Sequence, residues 1–148
     1  MKSNKKLNIL LNEIIGLKVK KTRLAANSLI IYIECEPGDK KGYSIWLEPT
    51  WHLTEEKVLL GSRQLQTDND ELFHKFAKIL NKIHNLKIIN ISIIENSNDI
   101  NILLEKNYSI KTFVADPTDP EIWHITDIKN KLKVYVSPTQ FKIVQTKK

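Results

Sequence analysis

The sequence predicts an α+β fold of two pseudo-symmetric units, each an antiparallel β-sheet with one packed helix. Three observations lead there: short motifs that recur in the same order, two amphipathic helical stretches, and many short alternating apolar runs. Leu11–Val19 (LNEIIGLKV) reads against Leu80–Ile88 (LNKIHNLKI). Tyr43-Ser44-Ile45 reads against Tyr108-Ser109-Ile110, and Trp51-His52-Leu53-Thr54 against Trp123-His124-Ile125-Thr126. Offsets of 65 to 72 residues in one order suggest duplication of a single unit, at about 1–66 and 67–148. No linker or low-complexity segment separates the halves, so residues 1–148 are read as one domain.

Each unit opens with a helix. In the first, Leu7, Leu10, Leu11 and Ile14 form one face, Ser3 or Asn4 is the expected cap, and Gly16 ends the helix. In the second, Leu72, Phe73, Phe76, Leu80 and Ile83 recur at helical spacing. Asp68 with Glu71 three residues on reads as a capping box, and Lys78 and Lys82 lie late, as the helix dipole favours.

Strands follow. Leu29–Ile33 is apolar on both faces, which predicts a central strand, joined through Pro37-Gly38-Asp39 to Tyr43–Leu47. Ile88–Ile94 and Ile100–Leu104 flank the turn Glu95–Asn98, and Lys106-Asn107 turns into Tyr108–Val114. Asp116–Pro120 reads as a loop. Leu132–Val136 and Gln140–Val144 form a closing hairpin around Ser137-Pro138-Thr139. The total is about eight to ten strands.

The bulk numbers set limits on function. The chain has 148 residues and a formal net charge of +6. Residues 1–24 hold seven of the 23 Lys/Arg and one of the 17 Asp/Glu, so the remainder balances at 16 of each. The positive excess therefore sits in one stretch, which fits a basic patch on one edge better than a groove spread over the domain. No apolar run reaches the ~18 residues of a membrane span. The single cysteine, Cys35, reads as a small core residue. Together with the lack of a secretory leader pattern, this predicts a cytoplasmic protein.

Motifs for metal, phosphate-loop or cofactor chemistry are missing, and none of these groups is expected. One pattern admits an enzyme. His52-Leu53-Thr54 and His124-Ile125-Thr126 resemble the paired His-x-Thr/Ser motifs of two-histidine phosphoesterases. In those enzymes two imidazoles exchange a proton and two hydroxyls hold phosphate. On a strand, His and Thr two apart would face one cleft together. Against this stand the acids after each Thr (Glu55, Asp127) and the Trp before each His, which points to a packing role. A non-enzyme is the expectation. Trp46, Trp51 and Trp123 read as core or rim anchors rather than base-stacking platforms. A nucleic-acid module using the basic N-terminal region is a further alternative.

A wider pattern spans about residues 12–136. Leu47-Glu48-Pro49-Thr50-Trp51 leads to Gly61-Ser62 and then to the helix after Asp68. Asp99-Ile100-Asn101-Ile102, the turn Lys106-Asn107 and Phe113 follow, and Glu121-Ile122-Trp123-His124-Ile125 closes the series. In this order the motifs resemble a family of small bacterial immunity-type proteins of contact-dependent inhibition and polymorphic toxin systems. Asn107 departs from the glycine common in that turn, although asparagine tolerates the left-handed backbone. The resemblance implies a protein that neutralises a cognate secreted toxin by direct binding. Two surfaces are candidates for the contact. One is basic (Lys18, Lys20, Lys21, Arg23), for an acidic toxin face. The other is acidic (Glu34, Glu36, Asp39, Asp116, Asp119, Glu121), for a basic nuclease.

Overall fold

A computed structural model describes residues 5–113 and 116–146. The fold is α+β, with two antiparallel sheets and few helices. Helix α1 spans Lys5–Ile14. Five strands follow: β1 (Val19–Ala25), β2 (Ser28–Ile33), β3 (Tyr43–Leu47), β4 (Trp51–Glu55) and β5 (Lys57–Gly61). Helix α2 (Asp70–Ala77) runs on as a 3-10 segment over Lys78–Ile83. Then come β6 (Ile88–Ile93), β7 (Ile100–Leu104), β8 (Ser109–Thr112), β9 (Trp123–Asp127), β10 (Leu132–Val136) and β11 (Phe141–Gln145). Strand β1 is the lysine-rich edge strand that the basic N-terminal stretch allowed, whereas β5, Lys57–Gly61, carries no such signal in the sequence.

Helix α1 buries Leu7, Leu10, Leu11 and Ile14, the face its spacing predicts, and Gly16 follows at φ +91°. The expected caps, Ser3 and Asn4, lie outside the described residues. The cap of α2 is Asn69 rather than Asp68: its side-chain oxygen accepts the Leu72 amide at 3.0 Å. Of the face predicted for this segment, Leu80 and Ile83 reach the core, Phe73 and Phe76 pack against it, and Leu72 is exposed. The turn at Lys106-Asn107 is left-handed at both residues (φ 62° and 64°).

The sheets are not one per half. The six-stranded sheet runs β1-β2-β3-β9-β10-β11, and the five-stranded sheet runs β5-β4-β8-β7-β6. Each half supplies three consecutive strands to one sheet and sends its next two into the other. Read β6–β10 for β1–β5 and the order β1-β2-β3-β9-β10 becomes β6-β7-β8-β4-β5. Many details run in parallel. Register shifts between Val19 and Lys21 in β1, and between Ile88 and Asn90 in β6. The Lys18 amide donates to Glu34 Oε2 (2.8 Å) and the Lys87 amide to Glu105 Oε1 (2.6 Å). Lys18 and Lys87 themselves bridge, with Val19 N donating to Leu86 O and Ile88 N to Leu17 O.

Trp51 and Trp123 begin β4 and β9, and both are fully buried. Each indole donates to a main-chain oxygen at 2.8 Å, Trp51 to Asn27 and Trp123 to Asn98. A buried indole N–H without such a partner would carry its full desolvation cost. The inward residues of both sheets, Leu29, Ile31, Ile45, Leu53, Ile102, Ile110, Ile125 and Val134 among them, join one continuous core. Cys35 is buried, and its thiol donates to Tyr43 O. No helix among the described residues is long and apolar enough to cross a membrane.

Candidate functional site

Strand alternation sends every second side chain outward. In the six-stranded sheet, register therefore aligns outward residues into rows across the strands. One row reads Arg23, Ile30, Trp46, His124, Tyr135, Lys142. The next reads Lys21, Tyr32, Ser44, Thr126, Lys133, Val144. At these positions there are four aromatic rings counting His124, five cationic side chains counting His124 as titratable, and no carboxylate. The central residues are half-buried, and Lys21, Arg23 and Lys142 at the rim are exposed.

The rings form a contiguous array. Trp46 stacks on His124 with centroids 5.5 Å apart, and His124 meets Tyr135 at 5.1 Å. Lys133 Nζ lies 5.5 Å from the centre of the Tyr135 ring, within reach of a cation–π attraction. The array is pinned at one end. Trp46 Nε1 donates to Glu48 Oε1 (2.6 Å), which also accepts from Ser28 Oγ (2.7 Å). His124 Nδ1 lies 2.9 Å from Glu121 Oε2, so that nitrogen carries the proton it donates to the carboxylate. Burial pulls the His124 imidazole below its usual titration range, and the Glu121 contact partly opposes this.

His52 and His124 occupy separate sheets. His52 faces outward on β4, its ring 4.6 Å from Phe113 and beside Gly61. Thr54 Oγ1 is 2.6 Å from Ser109 Oγ, while Thr126 stands opposite Ser44 on β3. The two imidazoles share no ring or hydrogen-bond neighbour among the described residues, and the two hydroxyls face different neighbours. The two His-x-Thr motifs stand on different sheets, because β4 and β9 exchange between them.

The two candidate binding surfaces fare differently. Lys21 and Arg23 join the rim of the aromatic face, whereas Lys18 lies at the bridge to Lys87 and Lys20 at the bulge of β1. Of the acids, Glu34 accepts the Lys18 amide, Asp39 the Glu36 amide, and Asp116 both the amide and hydroxyl of Thr118. Glu121 is held by His124. Four of these six carboxylates are thus engaged within the chain, Asp39 and Asp116 in local turns. Glu36 is exposed, and Asp119 lines a groove of about 330 Å³ with Glu48, Phe113 and Glu121, where the chain crosses between sheets. No group of three or more His, Cys, Asp or Glu among the described residues is placed to hold a metal ion.

Sequence reasoning missed Ile30, Tyr32, Lys133, Tyr135 and Lys142 as surface candidates, and assigned Trp46 to core or rim packing. The signal was present as alternation in LIIYI, YSIWL, WHITD and LKVYV. It becomes a surface only once β3 is known to pair with β9. Comparison with family models, curated proteins and solved structures found no match.

Proposed function

We propose that this chain is an immunity-type protein that binds a cognate secreted bacterial toxin domain directly and neutralises it, using the outer face of the six-stranded sheet. The observation that carries this reading is the row Trp46, His124, Tyr135 framed by Lys21, Arg23, Lys133 and Lys142. Binding energy at protein interfaces concentrates in central aromatic residues and arginine, with charged residues around the rim. Rings already locked by mutual stacking lose little entropy when a partner covers them. The cations favour a toxin surface that is acidic and speed its capture. A complex of standard size would bury about 800 Å² on each partner.

A single-stranded nucleic acid fits this face less well. The rings turn part of their surface toward each other rather than outward, and Glu48 and Glu121 close one end of the row where phosphates would pass. The test is co-expression with a candidate toxin, the C-terminal domain of a large secreted protein where the gene immediately upstream encodes one. Growth should be restored and a complex recovered. Unchanged growth inhibition, with no complex at micromolar concentration, would overturn the proposal. The same reading expects no hydrolysis of 2′,3′-cyclic nucleotides. Activity abolished by both His52→Ala and His124→Ala would replace it with the phosphoesterase.

A further inference from the structure

At one side of the aromatic row the outer face dips into a groove of about 410 Å³ over β10 and β11. Tyr135, Pro120 and Val144 supply its apolar lining, and Gln140 and Lys142 supply polar groups. Its volume lies within the roughly 300–1,000 Å³ of ligand-binding clefts. Val144 is among the exposed large hydrophobic residues of the chain. Two further polar residues of the lining are already engaged. Glu121 is paired with His124, and Ser137 Oγ bonds to the main chain of Gln140. Among the described residues, neither the Gln140 side-chain amide nor the Lys142 ammonium has a hydrogen-bond or ion-pair partner.

We infer that this groove seats one apolar side chain from an acidic segment of the partner protein, an inference that rests on the binding role proposed above for this face. The anchor lies between Tyr135 and Pro120, covering Val144. Carboxylates flanking it in the partner meet Lys142 on one side and Lys133 on the other. Charge complementarity decides the sign of the segment. Lys142 stands opposite Tyr135 on β11 and Lys133 lies two residues before Tyr135 on β10, opposite Val144, so two cations face the one acid of the lining, Glu121, whose Oε2 is already engaged by His124. The Gln140 amide is placed to meet a main-chain group of the segment.

The experiment uses the full ¹⁵N-labelled chain and a short synthetic peptide of Asp, Glu and Gly with one central Phe. Controls are the same peptide with Phe replaced by Ala, the peptide with its acids replaced by Lys, and an oligothymidylate. The acidic Phe peptide should shift amides of β10, β11 and Gln140 together with the Tyr135 ring. Lys142→Glu, at an exposed position, should weaken binding about tenfold, as should loss of the Phe. No shifts at millimolar peptide, shifts centred elsewhere, or equal binding of the Lys peptide would overturn the groove assignment. Stronger perturbation by oligothymidylate at the same resonances would overturn it in favour of a nucleic-acid face. If the toxin domain fails to bind while the acidic Phe peptide binds here, the groove stands and the partner is a different acidic protein. If the toxin complex forms and Lys142→Glu leaves it intact, the groove assignment falls alone.

Discussion

The outer faces of the two sheets occupy matching places in the strand order and differ in almost every side chain that matters for binding. On the six-stranded sheet, Trp46, His124 and Tyr135 stand side by side. The row in the same place on the five-stranded sheet is Lys111, His52 and Gly61. Ile30 and Tyr32 of β2 give way to Asn101 and Leu103 of β7. At Gly61 an added Cβ would lie 3.2 Å from His52 Cδ2, so His52 leans over the bare backbone where Tyr135 stands in the other sheet. Inward positions behave the opposite way: Trp51 and Trp123, Leu53 and Ile125, Ile110 and Ile45 are all buried aliphatic or indole groups. Interior positions answer to packing density, which tolerates little change. Outward positions are free to specialise, and the six-stranded sheet has gathered the longer row of aromatic and cationic residues.

The largest effect expected concerns what the sheets share. Trp51→Ala and Trp123→Ala should each destabilise the protein by about 3–5 kcal/mol in chemical denaturation. A loss confined to one of them would break the parallel between the two tryptophans. Next comes the contrast between faces. Trp46→Ala should weaken partner binding by about 2 kcal/mol, whereas Lys111→Ala at the matching place should change it by no more than about 0.5 kcal/mol. Equal effects by titration calorimetry would mean that both faces, or neither, meet the partner.

Smaller effects follow for the paired backbone contacts. Glu34→Ala and Glu105→Ala each remove a carboxylate that accepts a lysine amide, and each should cost about 1 kcal/mol. A marked inequality would show that one half tolerates loss of the contact better. The smallest concerns pH. The His124 imidazole titrates below its unfolded value near 6.5, so the unfolded chain binds the extra proton first. Its contribution to stability is therefore present above that value and is lost as pH falls through the folded midpoint. Glu121→Gln removes a contact that raises the midpoint, so the NMR titration of His124 should move lower still. A rise would mean that the Glu121 contact does not favour the protonated imidazole.

Much of this protein was legible in its residues. The face of α1, the helix stop at Gly16, the hairpins β2–β3, β6–β7 and β10–β11, and the burial of Trp51 and Trp123 all follow from local periodicity, turn chemistry and the recurrence of motifs. Other local features were displaced by a residue, as when Asn69 rather than Asp68 capped α2, because both can accept the same class of amide and only backbone geometry chooses. What only the tertiary structure decided is which strand lies beside which. Alternation tells each strand which side chains face inward, and says nothing about its neighbour. Pairing β3 with β9 and β4 with β8 crosses from one half of the chain to the other, and it puts the two His-x-Thr motifs on different sheets, a placement their repetition alone does not reveal. The same crossing sets Trp46 beside His124 and Tyr135, residues distant in the chain, because the exchanged strands bury their inward faces in one shared core and carry their outward faces along.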